Sequence, residues 1–464
     1  MFKKSKTILA LTLTFALSLS LLPKISLAAD TLPTATQAAI TKVVRLPIGT
    51  TPPTYDFKFN VKPISINGVE DLKVDMPTIR DANPVNLYGT TGVVTIKYPE
   101  TAVVVKPCAC TTVTAQQCKD DVEHYYLESA HLFPSSTAWK YAGIYLYEIT
   151  ETEDTGYKNN KDGKTMTFSK ANYTVKVFVS ANSPGTGYKI DGIAAYRVKT
   201  DDNAVITPSP VKVDPTPNPG NGVFSQMRFT NTYYKHNGGD GKDPINKQTL
   251  VIEKKVEGDF ALKNKYFEFK IYVTQHGLIP IDLNAHHNYT AYILDTDGSL
   301  LYHVDNKNFQ TIYKPTTEAY YSSIKFTGSD PTGEMIFRLK HGQKLVFTDM
   351  HVGVSYTITE YGVDGYTASA TVTTAGATAP PPYASGTGGK GEGLSIPSGE
   401  NAPTLRIGDI PGKNEVLVIN NYDAEPETGL NISNLPFYAM LLLPLAGLIT
   451  ITAIKLRTRK THNP

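Results

Sequence analysis

One short pattern occurs twice in this chain, and each copy sets polar side chains where a β-strand interior needs apolar ones. The first half holds Ile40-Thr-Lys42-Val-Val44, then Tyr147-Glu-Ile-Thr-Glu151, then Phe229-Thr-Asn231-Thr-Tyr233. The second half holds Ile252-Glu-Lys254-Lys-Val256, then Tyr356-Thr-Ile-Thr-Glu360, then Val418-Ile-Asn420-Asn-Tyr422. Residues i and i+2 of a strand share a face. Lys42 and Lys254, Glu151 and Glu360, and Asn231 and Asn420 therefore all fall on the apolar, inward side. Lys and Glu are almost never fully buried unless paired. Any fold of this chain has to bury a Lys, a Glu and an Asn together, once in each half. Lys255 and Asn421 adjoin two of these positions, but the alternation and the alignment with the first half select Lys254 and Asn420.

The composition agrees with strands. Among 464 residues are 28 Tyr and 17 Phe, and 35 Gly and 31 Pro punctuate the chain; aromatic residues favour strands. Period-2 alternation marks Thr249–Val256 and Phe267–Val273, and more weakly Tyr366–Val372. Charge is balanced, with 45 Lys+Arg against 43 Asp+Glu. That leaves no basic field for nucleic acid and no acidic excess pointing to disorder. Three cysteines cannot staple a chain this long.

The stretch Tyr234–Gln248 is rich in Gly, Asn, Asp and Lys and reads as a linker, with its core at 237–248. The stretches Ile206–Asn221 and Thr374–Pro403 read as long loops inside domains. The expected architecture is all-β: two β-sandwich domains in tandem, 30–236 and 249–424, with at most short helices.

A buried Lys–Glu–Asn set has a specific chemistry. Burial disfavours charge, so the amine tends to the neutral, nucleophilic form and the carboxyl tends to hold its proton. The amine can then attack the Asn carboxamide, with the Glu moving protons, and leave an isopeptide bond and ammonia. Nothing turns over: Glu151 and Glu360 act once, the cross-links being Lys42–Asn231 and Lys254–Asn420. In this sense the chain is not expected to be an enzyme.

Both ends of the chain read as processing segments. Lys3, Lys4 and Lys6, the apolar run Ile8–Leu22 and Ser26-Leu-Ala28 predict a secretory signal peptide over 1–29. Glu425-Pro-Glu-Thr-Gly429 precedes a polar spacer, the apolar stretch Leu435–Ile454 and the basic residues Lys455, Arg457, Arg459 and Lys460. That apolar stretch has about the length of a bilayer span, so a transmembrane helix is expected within 430–464. The order resembles a Gram-positive cell-wall sorting signal, with Glu425 in place of the usual leading Leu. The resemblance implies that a sortase cleaves between Thr428 and Gly429 and transfers the Thr428 acyl group to an amine.

Together the paired repeats and the sorting signal resemble the streptococcal backbone-pilin family. The likeness covers roughly residues 35–424. The repeated Tyr-x-Ile-Thr-Glu element looks like that family's E box, and Phe337-Arg-Leu-Lys-His-Gly-Gln343 followed by Tyr356–Glu360 is the most family-like stretch. The resemblance implies immunoglobulin-like, Cna B-type sandwiches and a chain polymerised on the cell surface. Its partners would be other copies of itself, class C and housekeeping sortases, peptidoglycan, minor pilins and host ligands, with no cofactor and no nucleic acid. The precursor would span the plasma membrane and the mature chain would sit in a wall-anchored pilus. Lys212, in the extended Pro-rich segment Ser209–Pro215, is the expected intersubunit lysine, with Lys106 its rival. The alternative is a monomeric wall-anchored adhesin using the same domains as a stalk.

Other motifs carry less. Cys108, Cys110 and Cys118 cluster in the first domain, and one disulfide with one leftover thiol is the simplest outcome. No metal site is expected there, since only His124 lies near. His286-His287 reads as a solvated turn, Gly386–Gly393 follows no strand and opens no helix, and no Ser/His/Asp arrangement suggests a hydrolase.

Overall fold

The computed structural model describes residues 33–81, 87–98, 104–107, 122–133, 138–153, 163–183, 186–217, 224–236, 243–278, 288–301, 321–326, 330–375, 377–378, 390–397, 404–422 and 435–460. The expected signal peptide, the three cysteines, His286-His287, most of the Gly-rich stretch, and Thr428 and Gly429 of the sorting motif lie outside them. The chain divides into two compact units, one of Met1–Lys235 with Gly277–Ile279 and one of His236–His276 with Pro280–Pro464.

In the first unit, strands β1 (Thr41–Pro47), β2 (Tyr55–Ile66), β3 (Gly92–Tyr98), β4 (Val104–Pro107), β5 (Val122–Glu128), β6 (Gly143–Glu151), β7 (Lys164–Thr167), β8 (Asn172–Ala181), β9 (Tyr188–Lys199), β10 (Val211–Val213) and β11 (Arg228–Lys235) build two sheets. Their orders are β4-β5-β1-β11-β7 and β10-β9-β8-β6-β2-β3. Alternation decides which side chains meet between them. From β2, Phe57, Phe59 and Val61 are buried, as are Tyr145, Tyr147 and Ile149 from β6 and Val44 and Phe229 from the opposing sheet. Phe59 and Phe229 touch across the gap, ring centroids 5.0 Å apart.

The second unit repeats the plan with β12 (Leu250–Glu257), β13 (Phe267–Thr274), β14 (Asn288–Leu294), β15 (Tyr321–Lys325), β16 (Thr332–Leu339), β17 (Lys344–Phe347), β18 (Ser355–Glu360), β19 (Tyr366–Thr374), β20 (Ala377–Thr378), β21 (Leu394–Ile396), β22 (Leu405–Arg406) and β23 (Glu415–Tyr422). One sheet runs β15-β14-β17-β12-β23-β19-β20, and the other β16-β13-β18-β21 with β22 also on β18. Phe267, Phe269, Ile271 and Val273 line one side of this core, and Val416, Val418, Ala368 and Ala370 the other.

Both units place their first strand beside their last, in parallel. Strand β1 pairs with β11 and β12 with β23. Parallel neighbours need a long connection, and here the whole unit supplies it. The two loops expected inside the units carry short strands instead: β10 in the first and β20 and β21 in the second, each pairing with a longer neighbour.

Helix α1 (Leu435–Lys460) follows, with Pro444 inside it. The expected membrane span falls on this helix, and Leu442, Leu443, Leu448, Ile449, Ile451 and Ile454 are exposed along it. Among the described residues, no helix is long and apolar enough to cross a membrane. Pro, Tyr and Thr interrupt the apolar sequence at Pro436, Tyr438, Pro444, Thr450 and Thr452.

Candidate functional site: two buried Lys–Glu–Asn clusters

Each cluster is built from three strands. The Lys comes from the first strand and the Asn from the last, neighbours in one sheet. The Glu ends a strand of the opposing sheet. In the first unit Asn231 stands opposite Val44, two residues beyond Lys42. In the second, Asn420 stands opposite Val256, two residues beyond Lys254. The register is the same. Side chains two apart share a face, so this offset places amine and carboxamide diagonally on the inner surface.

In the first unit Lys42, Glu151 and Asn231 are all buried. The Lys42 amine donates to both Glu151 oxygens, at 2.7 and 2.8 Å. Nδ2 of Asn231 donates to Oε1 of the same carboxylate at 2.9 Å. Its Oδ1 accepts the backbone N–H of Ser169 at 2.8 Å. Glu151 thus bridges the amine and the amide nitrogen, while a fixed backbone donor polarises the carbonyl.

In the second unit Lys254, Glu360 and Asn420 are again buried. Here the Lys254 amine donates directly to Oδ1 of Asn420 at 2.6 Å and lies 3.1 Å from Oε1 of Glu360. Nδ2 of Asn420 donates to the same Oε1 at 2.9 Å. Among the described residues Oε2 of Glu360 is buried with no hydrogen-bond partner, a place for a proton rather than a charge. The neighbours Lys255 and Asn421 face outward, and Lys255 pairs with Glu257 at 2.6 Å.

The electrostatics run the same way in both clusters. Burial pushes the Lys42 and Lys254 amines down to about 8, against the pull of Glu151 and Glu360. Burial raises both carboxyls, against the Lys charge and the Asn hydrogen bond. Both shifts favour moving the proton from Lys to Glu.

Two pairs of aromatic rings, which the alternation argument did not single out, hold the amines in place. The Lys42 amine sits 4.6 Å from the Phe57 ring centre and 5.9 Å from Phe59; for Lys254 the distances are 4.5 Å to Phe267 and 5.8 Å to Phe269. Phe59 and Phe269 are the strand partners of Glu151 and Glu360. The signal available in the sequence is the Phe-x-Phe near the start of the second strand of each unit. The Ser169 amide had no signal, because a backbone donor in a loop leaves no mark on residue type.

The stretch singled out at Phe337–Gln343 braces this site. Its turn accepts the Lys254 N–H through the Gln343 carbonyl at 3.0 Å, donates the Gly342 N–H to the Lys254 carbonyl at 2.8 Å, and sets His341 Nδ1 2.9 Å from the Val256 N–H. Gly342 has φ of 80°, and a Cβ there would meet Thr296 at 2.9 Å, so the turn requires glycine.

Lys212 lies outside both clusters. It is exposed on the edge strand β10, opposite Tyr196, and borders a cavity of about 360 Å³ that Pro33, Thr34, Ala35 and Asp214 also line. Lys106 lies on β4, its side chain outside the described residues. Among the described residues no group of His, Cys, Asp and Glu could hold a metal ion.

Residues 248–381 match a family described as a domain of unknown function, DUF7601. That segment covers β12 through β20, including Lys254 and Glu360, and stops short of Asn420. No curated protein matches the chain. Among solved structures, the chain is similar to the major pilin of Streptococcus pyogenes, at 16% identity and a TM-score of 0.26, covering 83% of this chain and 98% of that one. It is similar to the T3.2 major pilin of a second S. pyogenes serotype, GAS13637, at 15% identity and a TM-score of 0.26, covering 85% and 100%. It is also similar to the pilus-presented adhesin Spy0125 (Cpa), at 15% identity and a TM-score of 0.19, covering 53% and 38%. At these scores the likeness carries no argument, and the functional reading rests on the residues.

Proposed function

We propose that this chain is the structural subunit of a covalently polymerised cell-surface pilus, each unit locked by one Lys–Asn isopeptide bond. The observation that carries the reading is the double occurrence of a buried Lys–Glu–Asn cluster in one register. A buried ion pair is weak support for stability by itself, and two in equivalent places call for a chemical use. In each cluster the Lys proton passes to Glu, and the neutral amine attacks the Asn side-chain carbonyl carbon. The bond from Lys nitrogen to that carbon forms as the bond to the carboxamide nitrogen breaks. Glu takes a proton from the attacking nitrogen and delivers one to the leaving nitrogen, which departs as ammonia. Lys42–Asn231 and Lys254–Asn420 then tie the first and last strands of each unit, so a pull along the chain runs through a covalent bond.

Polymerisation is read from the C-terminal sequence: Glu425–Gly429, then the charge-free Leu435–Ile454, then a basic tail. In this reading a sortase cleaves after Thr428, and Lys212 of another copy takes the acyl group. The test is denaturing electrophoresis of cell-wall extracts from the native host. A ladder of heat- and detergent-resistant multimers is expected, lost on Thr428→Ala and reduced to monomer on Lys212→Arg. A single wall-linked monomer band from the unaltered chain would contradict polymerisation and leave the monomeric stalk.

A further inference from the structure

The outer face of the β5-β1-β11 strands, turned away from the Lys42 cluster, holds a cavity of about 610 Å³. Alternation that sends Lys42 and Val44 inward sends Val43 and Arg45 outward. The pairing sets His124 opposite Arg45 on one side and Thr232 on the other. Arg228 and Thr230 come from β11, and Tyr126, Thr167 and Phe168 complete the wall. His124 is only 7% exposed, and among the described residues its Nε2 has no hydrogen-bond partner; the Nε atoms of Arg45 and Arg228 are likewise buried without one among those residues. Buried polar atoms without partners are costly and rare in native structures.

The carboxylates of this cavity are already engaged. Asp201 accepts Arg197 at 2.7 Å, Ser169 Oγ at 2.5 Å and the Thr230 N–H at 2.9 Å. Asp202 accepts the Thr200 hydroxyl. Burial and the neighbouring Arg45 charge push His124 down to about 4, so its ring is neutral. The guanidinium groups of Arg45 and Arg228 line the cavity beside an imidazole, threonine hydroxyls and two aromatic rings, with Asp201 offsetting part of the Arg45 charge. Guanidinium forks match carboxylates in planar, two-point fashion. The volume is that of a small-molecule site.

We propose that this cavity binds a carboxylate-bearing sugar, the acid group on Arg45 and Arg228 and the hydroxylated ring among His124, Thr230 and Tyr126. The test is calorimetric titration of the full chain, in detergent, with D-glucuronate and N-acetylneuraminate as probes and methyl glucoside as the neutral control. Saturable binding of at least one acid and none of the neutral sugar is expected. Arg45→Gln and Arg228→Gln should each weaken it about tenfold or more, the value of a hydrogen bond to a charged group, with melting temperature unchanged. No heat from either acid, or equal binding of the neutral sugar, overturns the proposal. So does binding of the acidic peptide Asp423–Thr428 with both sugars silent, which would assign the cavity to a chain tail. The unaltered chain decides these arms without any variant.

Discussion

The Lys254 amine lies 2.6 Å from the carboxamide oxygen of Asn420, across a parallel pair of strands that open and close one folded unit. Oε1 of Glu360 accepts the Asn420 amide N–H and lies 3.1 Å from the Lys254 amine. The three residues that the proposed isopeptide chemistry needs are thus assembled in a buried setting. The first unit holds the same three residues with the carbonyl turned to the Ser169 amide instead.

In the proposed scheme each carboxyl acts only in its own unit. Glu360→Gln keeps the shape and an acceptor for Asn420 but removes the proton carrier. It should abolish ammonia loss in the second unit alone. Glu151→Gln should do the same in the first. Peptide mass mapping of each variant reads this directly; a full deficit in Glu360→Gln would show that Glu360 is not the proton carrier.

Asn420→Ala removes the electrophile and leaves the chain uncrosslinked over 166 residues of separation. Closing a loop of that size is worth about 5 kcal/mol in the chain-entropy model, equivalent to roughly 10 to 20 °C in melting temperature for a unit of this size. Calorimetry should show the second unit's transition fall by that order while the first unit's stays. A shift within a degree would mean that no cross-link was lost.

Much of this site is legible from residue order. Lys42, Glu151 and Asn231 stand out because strand periodicity is 2, and a polar residue in phase with Ile40 and Val44 or with Tyr147 and Ile149 has to be inside. The repeat then separates Lys254 from Lys255 and Asn420 from Asn421. What stayed hidden is cross-strand. The register offset of two, the rings of Phe57 and Phe267 over the amines, and the Ser169 amide depend on partners distant in sequence. Arg45, His124 and Arg228 look like ordinary outward residues until the strand order β5-β1-β11 sets them side by side.

Cross-link formation should depend on pH as a bell. Below the raised pKa of Glu360 both groups hold protons and the amine is not a nucleophile. Above about 8, where Lys254 titrates, the pair has lost the proton that the leaving nitrogen needs. Chain recovered unfolded and uncrosslinked, then refolded across pH 4 to 10, should gain its mass deficit fastest between these limits. A rate that keeps rising beyond pH 9 would contradict the shared-proton scheme.

The outward neighbours serve as controls. Lys255→Ala and Asn421→Ala remove residues of the same chemical type one position away. Neither should alter ammonia loss, because Lys255 already pairs with Glu257 at the surface. Loss of a cross-link in either variant would reassign the site.

The most direct measurement is the intact mass of the folded chain, reduced and denatured. The account predicts a deficit of two ammonias relative to the sequence, with mapped peptides joining Lys42 to Asn231 and Lys254 to Asn420. The full sequence mass would contradict it, leaving two sandwiches that bury Lys–Glu–Asn clusters without joining them.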